Sequence, residues 1–261
     1  MKMTMEQYIT NPMQSPIFTA TMRESMRNSY IQKFNALLLR EHGTINYFLY
    51  KDEENNKFYA YFKIPSEVIE RFYYDTVIEF SADQNTREAG KNLFKYNVRF
   101  FSNDPSFVYS YAYVFHHKGL FIEEFADRMS KKALRDAAVE KNPTNQVGYI
   151  KTIYFAYLFM KLKSFNDIDK FKAQASVLNL DSLKGNLELA DQKIGEREDA
   201  GAKLQKKKQI AKDKEKRAKE RAANPDNKLA VKYTKTTGKI RSTGIVKPTK
   251  TISSIKKTKR K

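Results

Sequence analysis

The chain has 261 residues, with 49 Lys and Arg against 30 Asp and Glu, a formal net charge of +19 and no cysteine. Without cysteine, disulfides and thiolate metal sites are excluded, and no stapled extracellular fold is indicated. The N-terminal segment lacks the apolar run of a signal peptide, and the longest uncharged apolar stretch, Thr152 to Met160, is shorter than the roughly 20 residues that a membrane span requires. We therefore expect no membrane partner.

The distributions of aromatic and of charged residues both divide the chain into an N-terminal and a C-terminal part. Among 18 Phe and 16 Tyr residues, only Tyr233 lies beyond Phe171, so we expect the folded core to end near residue 180. Residues 191–261 carry 24 basic against 8 acidic side chains, whereas the preceding residues carry 25 against 22. We predict an extended N-terminal arm over 1–18, a globular domain over 19–190, a charged exposed helix over 191–223 and a disordered Lys/Thr-rich tail over 224–261.

The arm is predicted from Asn11-Pro12 and Ser15-Pro16, because proline disfavours helix in the residue before it. Thr21 and Glu24 have the spacing of a capping box, which predicts a helix over about 22–41 that Gly43 ends. The ALLLRE segment of this helix could instead pair as a strand.

Short runs of aromatic and β-branched residues then predict an antiparallel sheet. Residues 45–50 and 57–64 flank the polar segment KDEENN, which is typical of a hairpin with a longer loop. Ser66 is expected to cap a single helical turn, and third and fourth strands are predicted over 73–80 and 93–101, joined by a polar surface loop.

The segment from Phe107 to Phe115 has an aromatic residue at almost every second position, which predicts that most of these rings form the core. The alternation favours a strand. Asp104-Pro105 favours a helix start, with Gly119 as its end. Both interpretations stay open, and helix is slightly favoured.

Three further helical segments are predicted. Ser130 begins an amphipathic helix that ends before Pro143, residues 146–163 have the clearest helical periodicity, and residues 167–189 have a weaker helical pattern. The predicted fold class is α+β: a small antiparallel sheet with several helices, followed by a charged helix and a disordered basic tail.

No residue pattern points to catalysis, a cofactor or a metal, and we predict that the protein is not an enzyme. His116 and His117 are adjacent, so their side chains point in different directions and would chelate a metal weakly. His42 beside Gly43 fits a helix end. The acidic groups Asp52 to Glu54 and Glu123-Glu124 lack the nearby lysine spacing of a two-metal nuclease.

Two polyanion-binding surfaces can be considered. Tyr96, Arg99 and Phe100 could stack bases of a single strand, but core packing of these rings is favoured. The basic tail has no acidic residue from Asn227 onward, which predicts contact with nucleic acid or an acidic protein surface, unless the tail only aids solubility. The predicted polyanion-binding residues are Lys228, Lys232, Lys235, Lys239, Arg241, Lys247, Lys250, Lys256, Lys257, Lys259, Arg260 and Lys261.

Three segments resemble structural proteins of bacteriophages that infect AT-rich Gram-positive hosts. They are VRFFSNDPSFVYSYAYVF (98–115), NQVGYIKTIYFAYLFMKLKSF (145–165) and NPMQSP (11–16). The resemblance implies a capsid, neck or tail component, with the head–tail junction as one expected position, that assembles in many copies with other virion subunits. The tail would then contact DNA or an acidic neighbouring subunit. The alternative is a ribosome- or nucleoid-associated protein that uses the tail for non-specific phosphate contacts.

Overall fold

The computed structural model describes residues 2–12, 19–82, 90–190, 203, 206–216 and 219. The chain divides into two compact units, Met1–Ala202 and Lys203–Lys261. The first unit contains the sheet and the hydrophobic core. In the second unit, the described residues are all helical and exposed.

The first unit is built on one five-stranded sheet in the order β4-β3-β2-β1-β5. The strands are β1 (Asn46–Asp52), β2 (Lys57–Pro65), β3 (Tyr73–Ser81), β4 (Asn97–Ser102) and β5 (Ser176–Val177). Strands β1 to β4 pair with one another in antiparallel fashion, whereas β5 is parallel to β1. The predicted α+β class and the predicted hairpin are confirmed.

Seven α-helices are described around this sheet. They are α1 (Met5–Thr10), α2 (Ala20–Leu38), α3 (Ala112–His117), α4 (Lys131–Arg135), α5 (Lys151–Leu162), α6 (Ile168–Gln174) and α7 (Leu180–Asn186). A π-helix (Phe107–Tyr111) precedes α3, and two 3₁₀ helices cover Leu93–Lys95 and Glu123–Arg128. Among the described residues, no helix is both long and apolar enough to cross a bilayer.

One face of the sheet is apolar and packs against α5. Side chains alternate along each strand, so Phe62, Ile78 and Phe100 share this face. Phe159 of α5 meets Phe62 edge to face, with ring centroids 6.0 Å apart. The Ser102 hydroxyl lies 3.2 Å from that of Thr152 and fixes the start of α5 on β4.

The predicted extended arm is wrong for residues 5–10, which form α1. The Thr4 hydroxyl accepts the Gln7 N–H and the Gln7 side chain accepts the Thr4 N–H, a complete capping box. The prolines lie after α1 and do not prevent it. Tyr8 is fully buried, its hydroxyl donates to the Gly148 carbonyl, and it accepts the N–H of Ile150. The N-terminal helix is therefore an integral part of the core.

The central aromatic run is helical. The Asp104 carboxylate accepts the N–H of Ser106, and the Leu120 N–H closes on the Phe115 carbonyl around Gly119, which has a φ of +68°. Phe107 and Phe115 are fully buried, whereas Tyr109 is 42% exposed. The alternation suggested a strand because aromatic residues occupy both the buried and the solvent-facing sides of this helix.

Several predicted boundaries are wrong. Helix α2 begins after Thr19, whose hydroxyl accepts the Met22 N–H, and not at Thr21. Helix α5 begins at Lys151, because the buried residues 147–150 are held extended by Tyr8. The fourth strand begins at Asn97, after a 3₁₀ turn.

Two shorter elements also differ from the predictions. The Ser66 hydroxyl accepts the N–H groups of Val68 and Ile69, but no helical turn forms there. The segment predicted as helical over 167–189 is interrupted by β5, because residues 176–177 pair with Tyr50 and Lys51.

Candidate functional site

The second face of the sheet carries charged and tyrosine side chains beside the buried apolar residues Val77 and Phe101. The strand register brings Lys63 opposite Asp75, Tyr59 opposite Glu79, and Glu79 opposite Arg99. All of these side chains lie on one face because β-strand side chains alternate with a period of two. Asp75 and Glu79 are both only 1% exposed, which makes this face the most concentrated charged region in the described part of the core.

Glu79 organises one end of this face. The Arg99 guanidinium donates from Nε and Nη2 to the two Glu79 oxygens, each at 2.7 Å. Arg99 Nη2 also donates to Glu124 Oε1 at 3.1 Å, and Lys57 Nζ reaches the same oxygen at 3.1 Å. We call Lys57, Glu79, Arg99 and Glu124 the Glu79 cluster; its two cations and two carboxylates balance in charge.

The electrostatics of the Glu79 cluster favour the ionised forms of Arg99 and Glu124. Burial acts to lower the pKa of Arg99, but hydrogen bonds and charges from Glu79 and Glu124 outweigh it and raise that pKa. Burial acts to raise the pKa of Glu124, but a backbone hydrogen bond and the charges of Arg99 and Lys57 outweigh it and lower that pKa. Burial, followed by the Glu79 charge, raises the pKa of the neighbouring Tyr59. The Arg99 cation is therefore neutralised by the carboxylates of Glu79 and Glu124.

Asp75 organises the other end of the face. Its Oδ1 accepts from the Tyr61 hydroxyl at 2.9 Å and lies 3.3 Å from Lys63 Nζ. Its Oδ2 accepts from Asn103 Nδ2 at 2.9 Å and from the Glu188 N–H at 3.1 Å. We call Tyr61, Lys63, Asp75 and Asn103 the Asp75 cluster. It ties the segment that follows α7 to the sheet.

The sequence analysis missed both clusters, although a signal was present. Asp75 and Glu79 are four residues apart within the strand YYDTVIEF, so they lie on the same face and on the same side as Val77, which is fully buried. Charged residues in register with a buried apolar residue indicate a buried ion pair. Their partners come from other strands and from the 3₁₀ helix, which local patterns do not reveal.

The structure rejects the base-stacking surface considered for Tyr96, Arg99 and Phe100. Tyr96 is 7% exposed and Phe100 is fully buried, and the Arg99 guanidinium is engaged by Glu79 and Glu124. Core packing, the favoured alternative, therefore holds for these rings.

The histidines and acidic groups singled out from the sequence have local partners. His116 Nε2 lies 3.3 Å from Glu123, and His117 Nδ1 lies 3.0 Å from the Tyr113 carbonyl oxygen. His42 lies 3.6 Å from Glu70. The Asp52 carboxylate accepts from Asn55 within the hairpin loop. Among the described residues, no three potential ligands converge on a metal position.

The twelve predicted polyanion-binding residues, Lys228 to Lys261, lie outside the described residues. The described part of the basic region is residues 203, 206–216 and 219, and its continuous helical stretch 206–216 has the sequence KKKQIAKDKEK. It carries six lysines against Asp213 and Glu215, and every one of its residues is exposed. Glu215 pairs with Lys219 one turn later, and Asp213 accepts from Gln209. We call residues 206–216 the basic helix; it presents cations on all sides.

Comparisons with known proteins give no match. This holds for models of protein families, for curated proteins and for solved structures alike.

Proposed function

We propose that this protein is a non-enzymatic structural component of a virion, in which the folded unit packs against other subunits and the basic C-terminal region binds a polyanion. The observation that carries the proposal is the separation of charge along the chain. Residues 191–261 have a net charge of +16, and every described residue of the basic helix is exposed. Such a concentration of positive charge attracts nucleic acid or an acidic protein surface.

The buried charged groups of the folded unit support a structural role, because they join separate elements of the fold. The Glu79 cluster joins the sheet to the 3₁₀ helix at 123–128, and the Asp75 cluster joins it to the segment after α7. In both clusters the carboxylates accept from cations and neutral donors that hold separate elements together. Side chains that join separate elements of the fold stabilise one conformation of the subunit. A subunit with one conformation suits assembly in many copies.

The placement in a virion, at a capsid, neck or head–tail position, extends the resemblance of residues 98–115 and 145–165 to bacteriophage structural proteins. In that setting the subunits form a homo-oligomer within a larger assembly, and the basic region contacts packaged DNA or an acidic neighbouring subunit. The second candidate is a nucleic-acid-binding protein associated with ribosomes or the nucleoid, and the exposed lysines of the basic helix favour it equally.

Fractionation distinguishes the two candidates. The gene is expressed in its native genomic context, and particles are separated from ribosomes and nucleoid by density gradient at increasing salt. A virion subunit stays with particles at high salt, because packing contacts between folded units do not depend on phosphate neutralisation. A protein held only by phosphates dissociates, with log Kobs falling by about 0.9 per neutralised phosphate for each unit of log salt. Recovery in the ribosomal or nucleoid fraction alone would overturn the virion assignment.

A further inference from the structure

A cavity of about 240 Å³ lies beside the π-helix, between that helix and α4. Its lining includes the tyrosines Tyr109 and Tyr113 and the small side chains Ala133, Ala137 and Ala138. Tyrosine rings can stack on a planar group, and small side chains leave room for one.

The π-helix shapes this cavity. The Ala112 N–H bonds to the Phe107 carbonyl, five residues earlier, which widens the turn. The buried side of the turn carries Phe107, whereas Tyr109 is carried to the surface with 42% of its area exposed. Single π-turns within α-helices occur frequently at functional sites, because they displace side chains from the regular helical positions.

Basic residues lie at the cavity and close to it in the chain. Lys132 lines the cavity, and Lys141 Nζ lies 5.2 Å from the centre of the Tyr109 ring. Lys131 and Arg135 of α4 are also exposed. Residues 128–141 contain five basic against two acidic side chains, and one of the two, Asp136, pairs with Arg135 at 2.7 Å. Asp136 also lines the cavity, and its carboxylate accepts from Arg135. The tyrosine rings favour a ligand with a planar aromatic part, and the excess of cations favours one with negative charge.

We propose that this cavity binds a base of single-stranded nucleic acid, with the base stacked on Tyr109 and the neighbouring phosphates contacted by Lys132 and Lys141. Non-specific single-strand sites combine these two features, aromatic stacking surfaces and a basic track for the backbone. The proposal rests on the proposed polyanion-binding function and adds to it a site on the folded unit. A single strand suits the site better than a duplex, because only unpaired bases can enter the cavity.

The test measures binding of a fluorescently labelled oligothymidylate to the full chain by anisotropy. Tyr109→Ala removes the stacking surface, and we expect it to raise Kd about 5- to 30-fold, in the range found for loss of one base–aromatic stack. It should leave the slope of log Kobs against log salt unchanged, since no phosphate contact is lost. Lys132→Ala should reduce the magnitude of that slope by about 0.7, as for one phosphate of a single strand.

Two controls separate stacking from unfolding. Tyr109→Phe keeps the ring and should bind within about twofold of the unmodified protein. Phe48→Ala removes an exposed ring, 47% accessible, that does not line the cavity, and should leave Kd unchanged. Thermal unfolding of each variant confirms that the fold is retained. An equal loss in Tyr109→Ala and Phe48→Ala would overturn the proposal.

The two proposals can fail separately. If the full chain binds duplex and single strands alike and Tyr109→Ala has no effect, the cavity proposal is overturned while the polyanion-binding region stands. If the chain binds neither form, both proposals fail. Thymidine monophosphate that competes as tightly as the oligonucleotide would show a site for free nucleotides and overturn the single-strand assignment. Photocrosslinking of a 4-thiothymidine strand should label the tryptic peptide covering residues 100–118.

Discussion

The Asp75 carboxylate accepts a hydrogen bond from the backbone N–H of Glu188 at 3.1 Å, which joins β3 to a segment 113 residues later. The Tyr61 hydroxyl, which donates to the same carboxylate, also lies 3.3 Å from the Asn186 carbonyl oxygen. The buried Leu187 lies between these two contacts in the chain. The Asp75 cluster therefore fixes the last part of the folded unit before the chain enters its basic region.

Asp75→Ala should lower the free energy of unfolding by about 2 to 4 kcal/mol, because it removes the buried acceptor of the Tyr61 hydroxyl, the Asn103 amide and the Glu188 N–H and the counter-charge of the partly buried Lys63. Urea denaturation followed by circular dichroism measures this loss. Asp181→Ala, an exposed acidic residue of α7, serves as the control and should change stability by less than about 0.5 kcal/mol. Equal stability of the two variants would show that the Asp75 cluster does not hold the segment after α7.

Tyr8→Phe tests whether α1 is part of the core. The substitution removes the hydroxyl that donates to the Gly148 carbonyl and accepts the Ile150 N–H, and it leaves both backbone groups buried. We expect a loss of about 1 to 3 kcal/mol in the free energy of unfolding. Hydrogen exchange should show reduced protection at residues 4–11 and 148–150 in the variant. Unchanged protection at these residues would contradict the docking of α1.

Gly148→Ala should destabilise the protein, because an added Cβ would lie 2.5 Å from the Tyr111 ring. Overpacking of this kind typically costs about 1 to 3 kcal/mol. Gly185→Ala provides a matched control within α7, where an added Cβ meets no atom within 4 Å. There the same substitution should stabilise by up to about 1 kcal/mol through helix propensity. The melting temperatures of the two variants should therefore move in opposite directions.

Acid should weaken the Glu79 cluster. The pKa of Glu124 is lowered in the folded protein, so its ionised form contributes stability that is present above the unfolded pKa and is lost as pH falls through the folded value. The unfolded pKa of glutamate is about 4.3, so the loss should begin below about pH 5. Glu124→Gln removes the titrating group, and its stability should depend less steeply on pH in this range. Parallel pH profiles for the two proteins would contradict this role.

Alkaline pH should lower the stability of the protein through the partly buried Tyr30. Burial, with smaller contributions from Tyr111, Asp104 and Glu67, raises the pKa of Tyr30 to about 12. A raised pKa means that the stability held by the neutral form is complete below the unfolded value of about 10 and is lost as pH rises through the folded value. Tyr30→Phe should therefore reduce the alkaline loss of stability between pH 10 and 12. An alkaline loss of stability that is as large in Tyr30→Phe as in the unmodified protein would contradict this role.

The parts of the fold that the sequence predicts are those encoded by local patterns. The β1–β2 hairpin follows from two β-prone runs around KDEENN. Ser130 caps α4 as predicted, but the helix ends at Arg135, well before Pro143, because Asp136 is extended. The extent of α5 was overestimated, because residues 147–150 have apolar side chains at helical spacing but are held extended by a hydroxyl from Tyr8. Such a contact, 142 positions away in the chain, leaves no trace in a local window.

The candidate sites were predictable to different degrees. Counting charged residues identifies the basic region directly, because this region has a large excess of lysine and arginine over acidic residues. The Glu79 cluster needs the register of three strands, and the cavity at the π-helix needs both the widened turn at Phe107–Tyr111 and the placement of α4 beside it. The aromatic run indicated a core but not which rings stay at the surface. Only the fold distinguishes the exposed Tyr109 from the buried Phe107.

The central claim is that the core stabilises the folded unit while the basic region binds a polyanion, and deletion of residues 227–261 tests it most directly. Affinity for duplex DNA is measured as a function of salt for the full chain and for the truncated chain, with thermal unfolding of both. We expect the same melting temperature, a large loss of affinity and a shallower salt dependence, since the deleted segment carries 12 cations and each neutralised phosphate contributes about 0.9 to the slope. A truncated chain that unfolds, or that binds DNA with the original affinity and slope, would contradict the account.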